Sequence, residues 1–221
     1  METLQTVMTP LLLTLRIALV TTFFVAVLGV CISYLLAKRD FAGKWLADAF
    51  VTLPMVLPPT VTGYLLVILL GKNGAIGSKL LLLGWNGILF TWQAAAIAAF
   101  VVSLPLMVKT ATSAIGAVDR SVEEASSILG RSELETALFI TLPLAKKGIL
   151  AGCVLSFARA VGEFGATLMV AGNIPGKTST MSLSIYNAYQ TGNSELANLL
   201  VLVLVAISLI TIAATNKLGE R

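Results

Sequence analysis

The sequence predicts an all-α integral membrane protein with five transmembrane helices and a helical hairpin on its cytoplasmic side. Hydrophobic side chains make up 57% of the 221 residues and charged side chains only 12%, with a mean hydropathy of +0.93. Soluble domains carry about 25% charged residues. Several apolar runs are long enough to cross a bilayer, and most Lys and Arg residues between them fall on one side.

Each span is placed by the run of about 20 apolar residues that a helix needs to cross the hydrocarbon core. The first run follows Arg16, whose long side chain is expected to snorkel to one membrane face. Residues 80–83 are too few to cross, and Trp85, Phe90 and Trp92 around them are typical of an interfacial belt. We therefore predict one membrane domain over residues 1–221, with spans at about 17–37, 49–70, 88–108, 149–171 and 196–214.

The orientation follows from the distribution of Lys and Arg between the spans. One side carries Lys38, Arg39, Lys44, Lys109, Arg120, Arg131, Lys146, Lys147, Lys217 and Arg221. The other side carries Lys72, Lys79 and Lys177. Since cytoplasmic loops are enriched in basic residues, we predict that the N-terminus lies outside and the C-terminus in the cytoplasm.

Composition excludes several kinds of chemistry. The sequence has no His, which removes His-based metal and acid–base sites, and Cys31 and Cys153 lie in apolar runs where packing is their expected role. Gly176-Lys177-Thr178 matches half of a phosphate-binding loop, but Ala171 replaces the first glycine of that motif. The segment also follows a membrane helix on the outer side. We expect a turn there, and no cofactor, metal or nucleic-acid partner.

Residues 118–143 form the most informative loop. Two segments fit the capping box S-x-x-E, in which a serine and a glutamate reciprocally cap the start of a helix. These boxes are Ser121 with Glu124 and Ser132 with Glu135. Gly130 suits a left-handed C-terminal cap between them. We predict helices at 122–129 and 133–140, with Pro143 marking the start of the next membrane helix.

The first predicted hairpin helix has one apolar stripe. Val122, Ala125 and Leu129 recur at helical spacing. The loop either packs against its own membrane domain or presents this stripe to a groove in a partner protein. Two caps make a structured hairpin, which favours the docking interpretation.

Two stretches within the spans are unusual for lipid-facing helices. Pro54, Pro58 and Pro59 remove N–H donors from the second span, so this part is expected to face protein or a water-filled path, with a simple kink as the alternative. Arg159 and Glu163 lie on one helix face of the fourth span at i,i+4 spacing. This pair either locks helix packing or lines the path of an anion, with Glu163 moderating the field of Arg159.

The hairpin sequence resembles the EAA loop of ABC importer permeases. That motif runs E-A-A-x-x-x-G, then nine residues, then I-x-L-P, and the spacings here are the same. The matching residues are Glu124, Ala125, Ser126, Gly130, Ile140, Leu142 and Pro143. Ser126 departs from Ala, and Lys147 precedes Gly148 where the family often has Pro. The resemblance implies that the first helix, which ends at Leu129, is a coupling helix seated in a cleft of a separate ATPase subunit.

Three further stretches resemble molybdate permeases. Residues 53–77 match the second-span motif L-P-x-V-L-P-P-x-V-x-G-Y, which adds Gly63 to Pro58 and Pro59 as candidates for the translocation path. Residues 156–167 are similar to a fourth span shared with sulfate permeases, and residues 173–180 to an outer loop of the molybdate branch. The resemblance covers nearly the whole chain. It implies molybdate import, with sulfate or tungstate as alternative substrates.

The same resemblance implies an assembly in the cell membrane of a prokaryote. Two copies of this multi-pass chain would enclose the path within the lipid, with two ATP-binding cassette subunits below and an extracytoplasmic oxyanion-binding protein outside. The small residues Gly162, Gly165 and Ala166 are expected at the contact between copies. The chain would perform no covalent chemistry and is not an enzyme. The rival classes are a secondary anion transporter, for which only Glu163 could couple an ion, and a membrane enzyme.

Overall fold

The computed structural model describes the backbone of residues 2–84 and 87–219 and the side chains of 5–84 and 87–213. Every regular element in these ranges is helical. Trp85 and Arg221 lie outside the described residues, as does the side chain of Lys217. In chain order the elements are α1 (Glu2–Lys38), α2 (Lys44–Val56), α3 (Pro59–Leu70), α4 (Gly77–Leu82), α5 (Trp92–Gly116), α6 (Arg120–Ile128), α7 (Glu133–Thr136), a π-helical segment (Ala137–Thr141), α8 (Leu142–Leu144), α9 (Lys146–Val161), α10 (Gly165–Ala171), α11 (Met181–Gln190) and α12 (Ser194–Gly219).

Helix α5 forms the centre of the fold, packed between α1 and α9. Its buried face is rich in alanine: Ala94, Ala95, Ala98 and Ala99 are all inaccessible to solvent or nearly so. Such small side chains let helix backbones approach closely, which is how helices associate in membranes. The core that they form also receives residues from α3 and α10.

Within the described ranges, three helices are long and apolar enough to cross a membrane: residues Gln5–Lys38, Trp92–Gly116 and Ser194–Ala213. The count rises to five if each of two bent helix pairs is one span. This agrees with the predicted all-α membrane fold, while the span limits and the orientation of the chain stay predictions.

The second predicted span, 49–70, is not one helix. Helices α2 and α3 meet at an angle of 115°. Leu57 and Pro58 are extended at the break, with ψ of 143° and 137°. The cause is local: each precedes a proline, whose ring disfavours helical geometry in the residue before it. Pro54, by contrast, lies inside α2 without ending it.

The fourth predicted span, 149–171, is also divided. Helix α9 ends at Val161, and α10 begins at Gly165 after the non-helical residues 162–164. A second bend, of 72°, separates residues Glu133–Leu144 from α9.

Helix α1 is longer than predicted, because it begins at Glu2 and not near Ile17. Its first turns pack Val7 against Met181 of α11 and Leu200 of α12. The N–H of Met181 also donates to the buried hydroxyl of Thr14 at 2.8 Å. Arg16 lies with its guanidinium 4.0 Å from the ring centroid of Trp92, a cation–π contact with one of the predicted belt residues.

Candidate functional site: the hairpin and the broken helices

The first hairpin helix, α6, begins earlier than predicted. Its N-cap is Asp119, whose carboxylate accepts the N–H of Ser121 at 2.9 Å. This bond holds the pKa of the Asp119 carboxyl below its ordinary value. The predicted box at Ser121 and Glu124 was therefore wrong. An acceptor two residues upstream caps the helix first, and Glu124 is exposed.

The second hairpin helix begins as predicted. Ser132 and Glu135 form the reciprocal capping box: the Ser132 N–H donates to Glu135 Oε2 at 2.8 Å, and the Glu135 N–H donates to the Ser132 hydroxyl at 3.3 Å. The hydrogen bonds from Ser132 lower the pKa of the Glu135 carboxyl. Gly130 has φ of +82°, the left-handed conformation expected of the turn between the helices.

The predicted helix at 133–140 changes its winding partway. After Thr136 it becomes π-helical, and the N–H of Leu142 bonds to the carbonyl of Ala137, five residues before. Pro143 follows at once and supplies no N–H to the preceding turn. Single π turns often mark functional sites. Ile140 and Leu142 are partly buried here, whereas Pro143 is exposed.

The apolar stripe of α6 is not covered by the rest of the described chain. Val122, Ala125 and Leu129 are all exposed, with 82% of Leu129 accessible. Ile128, which the sequence interpretation did not include, is 85% accessible. Large apolar side chains exposed at a helix end are typical of a surface that another protein covers.

Ser126, the departure from the EAA pattern, has a structural explanation. Its side chain is buried, and its hydroxyl lies 2.8 Å from the hydroxyl of Thr136. This hydrogen bond joins α6 to α7 across the turn. A small hydroxyl residue therefore fills the place of alanine and adds a link between the two helices.

Sequence reasoning missed Glu123, the neighbour of the motif's Glu124. Its carboxylate points inward and binds both Lys38 at the end of α1 and Thr141 in the π-helical segment. The available signal was weak: a base and an acid 85 residues apart on the same predicted side of the membrane.

The candidate path residues meet where two helices are broken. A side chain added at Gly63 of α3 would lie 2.9 Å from the Ala166 backbone of α10, so the two helices are in close contact. Gly165 likewise packs against Pro59 and Thr60. The break after α2, at Pro58 and Pro59, therefore lies beside the break that contains Glu163.

Arg159 and Glu163 form an ion pair at this place. Only 2% of the Glu163 side chain is accessible, and its Oε1 accepts the N–H of Ala166, in the first turn of α10, at 2.8 Å. Arg159 Nη1 lies 2.7 Å from Oε2, but the geometry is not that of a hydrogen bond, and Oε2 accepts none. The Arg159 side chain remains 31% accessible. Glu163 is thus hydrogen-bonded to the backbone at the start of α10, whereas part of the Arg159 side chain is accessible to solvent.

The structure does not bring the predicted coupling residues of the hairpin together with the predicted residues of the translocation path. Lys146 and Arg159 stand at opposite ends of α9, about 20 Å apart at 1.5 Å per residue. The turn at Gly176 is closed by Thr178, whose hydroxyl accepts the Ile174 N–H and donates to the Gly172 carbonyl. That threonine is buried and engaged, as expected of a turn.

Comparison with known proteins agrees with this architecture. The chain is 40% identical over 212 residues to the molybdenum transport system permease protein ModB of Escherichia coli (strain K12), covering 95% of this chain and 92% of that one. It is 35% identical to the sulfate transport system permease protein CysW of Synechococcus elongatus, covering 95% and 73%.

Among solved structures, a bacterial alginate ABC transporter in complex with a pentasaccharide-bound periplasmic protein has a chain that matches with a TM-score of 0.77. It shares 15% identity, over 97% of this chain and 78% of that one, which shows a common fold. The model of the binding-protein-dependent transport system inner membrane component family matches residues 29–220. On this match and the identity to curated permeases, the chain belongs to the family of inner membrane components of binding-protein-dependent transport systems.

Proposed function

We propose that this chain is the membrane-spanning permease subunit of an ATP-driven importer of molybdate. The observation that supports molybdate as the substrate is the 40% identity, over 95% of the chain, to a molybdenum permease. The sulfate permease is less similar and is matched over a smaller share of its length. Sulfate and tungstate, which have the same tetrahedral shape and charge, are the competitors to test.

The ATP is hydrolysed in this proposal by separate cytoplasmic subunits that dock on α6. Support comes from the exposed stripe of Val122, Ala125 and Leu129, which the described part of the chain leaves uncovered. The bend between the hairpin and α9 gives the docked helix a direct mechanical connection to the membrane core. The permease supplies binding surfaces and movement, and no covalent step.

The translocation path runs, in this proposal, beside the paired breaks in α2–α3 and α9–α10. Non-helical backbone at membrane depth is tolerated only where it is buried in protein or lines a cavity. Arg159 is the anion-facing member of the ion pair, since its side chain is partly accessible, and Glu163 holds it in place from the cap of α10. Pro58, Pro59 and Gly63 shape the opposite wall.

Two copies of the chain enclose this path, with N-termini outside and C-termini in the cytoplasm. An extracytoplasmic binding protein delivers the oxyanion to the outer face. A relative of the same fold has been solved with its periplasmic protein bound, which supports a partner of this kind. ATP binding then shifts the permease between inward-facing and outward-facing states, as a ligand shifts any two-state equilibrium that it binds unequally.

The proposal is tested by uptake of labelled molybdate at trace concentration in cells with and without the gene. Unlabelled tungstate or sulfate is added in parallel, in excess. We expect uptake to depend on the gene and to be inhibited far better by tungstate than by sulfate. Equal inhibition by sulfate, or molybdate uptake that does not depend on the gene, would contradict the assignment to molybdate.

A further inference from the structure

A three-residue cluster joins the end of α1 to the hairpin, away from the exposed stripe. Lys38 Nζ donates to Glu123 Oε2 at 2.8 Å and lies 3.4 Å from the Val118 carbonyl. The Thr141 hydroxyl donates to the other carboxylate oxygen, Oε1, at 2.6 Å. Both oxygens of one carboxylate are therefore used, each by a different element of the fold.

The cluster is largely shielded from water. The side chains of Lys38 and Glu123 are 13% and 18% accessible, and Thr141 is fully buried. Each charge also sits at a favourable helix end, because Lys38 is the last residue of α1 and Glu123 lies in the first turn of α6. Shielded, hydrogen-bonded charges of this kind hold a fixed geometry, and removing one partner leaves the other uncompensated.

A second ion pair between the same two regions provides a contrast. Arg39 Nη2 lies 2.6 Å from Glu133 Oε2, but these side chains are 57% and 56% accessible. Exposed pairs are screened by water and salt and hold geometry weakly. Both ion pairs join a basic residue near the end of α1 to a glutamate of the hairpin, at 2.8 Å and 2.6 Å. They differ in how far their side chains are buried.

Connectivity gives the buried cluster its significance. The hairpin is continuous in the chain with α5 on one side and with α9 on the other. Helix α1 packs against both of these helices but has no nearby chain connection to the hairpin. Only side-chain contacts can pass a movement of α6 directly to α1. Of the two ion pairs described above, the shielded one is formed by Glu123.

We infer that Lys38, Glu123 and Thr141 form a positioning junction that makes α1 move with α6, so that the coupling movement reaches the membrane core through α1 as well as through α9. This inference rests on the proposed function, in which α6 receives force from an ATPase subunit. Glu123 positions the helix and does not touch the transported anion. Thr141, the third residue of the junction, lies in the π-helical segment, where the α-helical hydrogen-bonding pattern is interrupted.

The test measures molybdate transported per ATP hydrolysed by the full complex in proteoliposomes. The variants are Glu123→Gln, which removes the charge, and Thr141→Val, which removes only the hydroxyl donor. Glu133→Gln is the matched control in the exposed pair. We expect the two junction variants to assemble and hydrolyse ATP while their transport per ATP falls by about fivefold or more, the usual lower range of coupling between sites. The control keeps the wild-type ratio.

A purely structural role would lower the melting temperature or the amount of complex and leave transport per ATP unchanged in the complexes that form. That result in both junction variants overturns the inference, as does an equal fall in Glu133→Gln. If Glu123→Gln fails to assemble, the milder Thr141→Val decides. A wild-type complex that moves no molybdate refutes the proposed function and the coupling role with it, whereas equal ratios in a working wild type refute the junction alone.

Discussion

Ser126 occupies a position where its family motif has alanine, and its hydroxyl forms a side-chain hydrogen bond between α6 and α7. The partner, Thr136, is buried as well. A buried hydroxyl that loses its hydrogen-bond partner is destabilising by its full desolvation free energy. A change at Ser126 is therefore expected to affect stability more than the loss of one oxygen atom suggests.

We therefore predict that Ser126→Ala destabilises the hairpin by about 1–3 kcal/mol, because it leaves the Thr136 hydroxyl unpaired. Hydrogen exchange of the α6 amides in the purified complex measures this local opening. The double variant Ser126→Ala with Thr136→Val removes both polar groups and is expected to cost less than the sum of the single changes. Strict additivity would show that the two hydroxyls do not interact.

At the scale of elements, the two carboxylate caps make hairpin stability depend on pH. Hydrogen bonds from Ser121 and Ser132 lower the pKa of Asp119 and Glu135 in the folded state. Their stabilisation is complete above the ordinary carboxyl pKa values and is lost as the pH falls through the lowered folded values. We predict faster hairpin opening in that acidic window.

This pH dependence is measured by hydrogen exchange over the hairpin, corrected for the intrinsic effect of pH on exchange. Glu135→Gln is the control, since it keeps the side-chain shape at the second cap and cannot titrate. The account requires a smaller pH response in this variant. An unchanged response would mean that the Ser132 box contributes nothing to the titration.

The docking surface of α6 is a second property of an element. We predict that Leu129→Asp weakens binding of the ATPase subunit by roughly thirtyfold, about 2 kcal/mol, as expected for a buried interface anchor. Leu82→Asp on α4 is the matched control, because that leucine is equally exposed, 87% against 82%, on the predicted outer side. Similar losses in both variants, measured by co-purification and titration, would argue against docking at α6.

Local signals predicted local structure well. Gly130 and the Ser132–Glu135 box specified a turn and a helix start by chemistry within four residues, and the structure confirmed both. Pro58 and Pro59 predicted a disturbance, but sequence gives neither the 115° angle between α2 and α3 nor the close contact of Gly63 with α10. Glu123 could not be identified, because its partner Lys38 is distant in sequence and is brought close only by the packing of α1.

At the scale of the whole molecule, the breaks near Pro58 and Glu163 lie together at the centre of the proposed path. We predict that Arg159→Met reduces molybdate uptake by about tenfold or more, since a charge in a low-dielectric site contributes upwards of ~1.4 kcal/mol to attracting an anion. Uptake and thermal stability are measured on the same variant. Full transport with only a lower melting temperature would assign the pair to packing.

The measurement that tests the central claim most directly is molybdate accumulation by proteoliposomes containing the purified permease, its ATPase subunits and the binding protein. The account predicts accumulation that requires ATP hydrolysis and the binding protein, with sulfate accumulating far less. Accumulation driven by an ion gradient without ATP would identify a secondary transporter. Equal accumulation of sulfate would leave the ABC permease in place and contradict its assignment to molybdate.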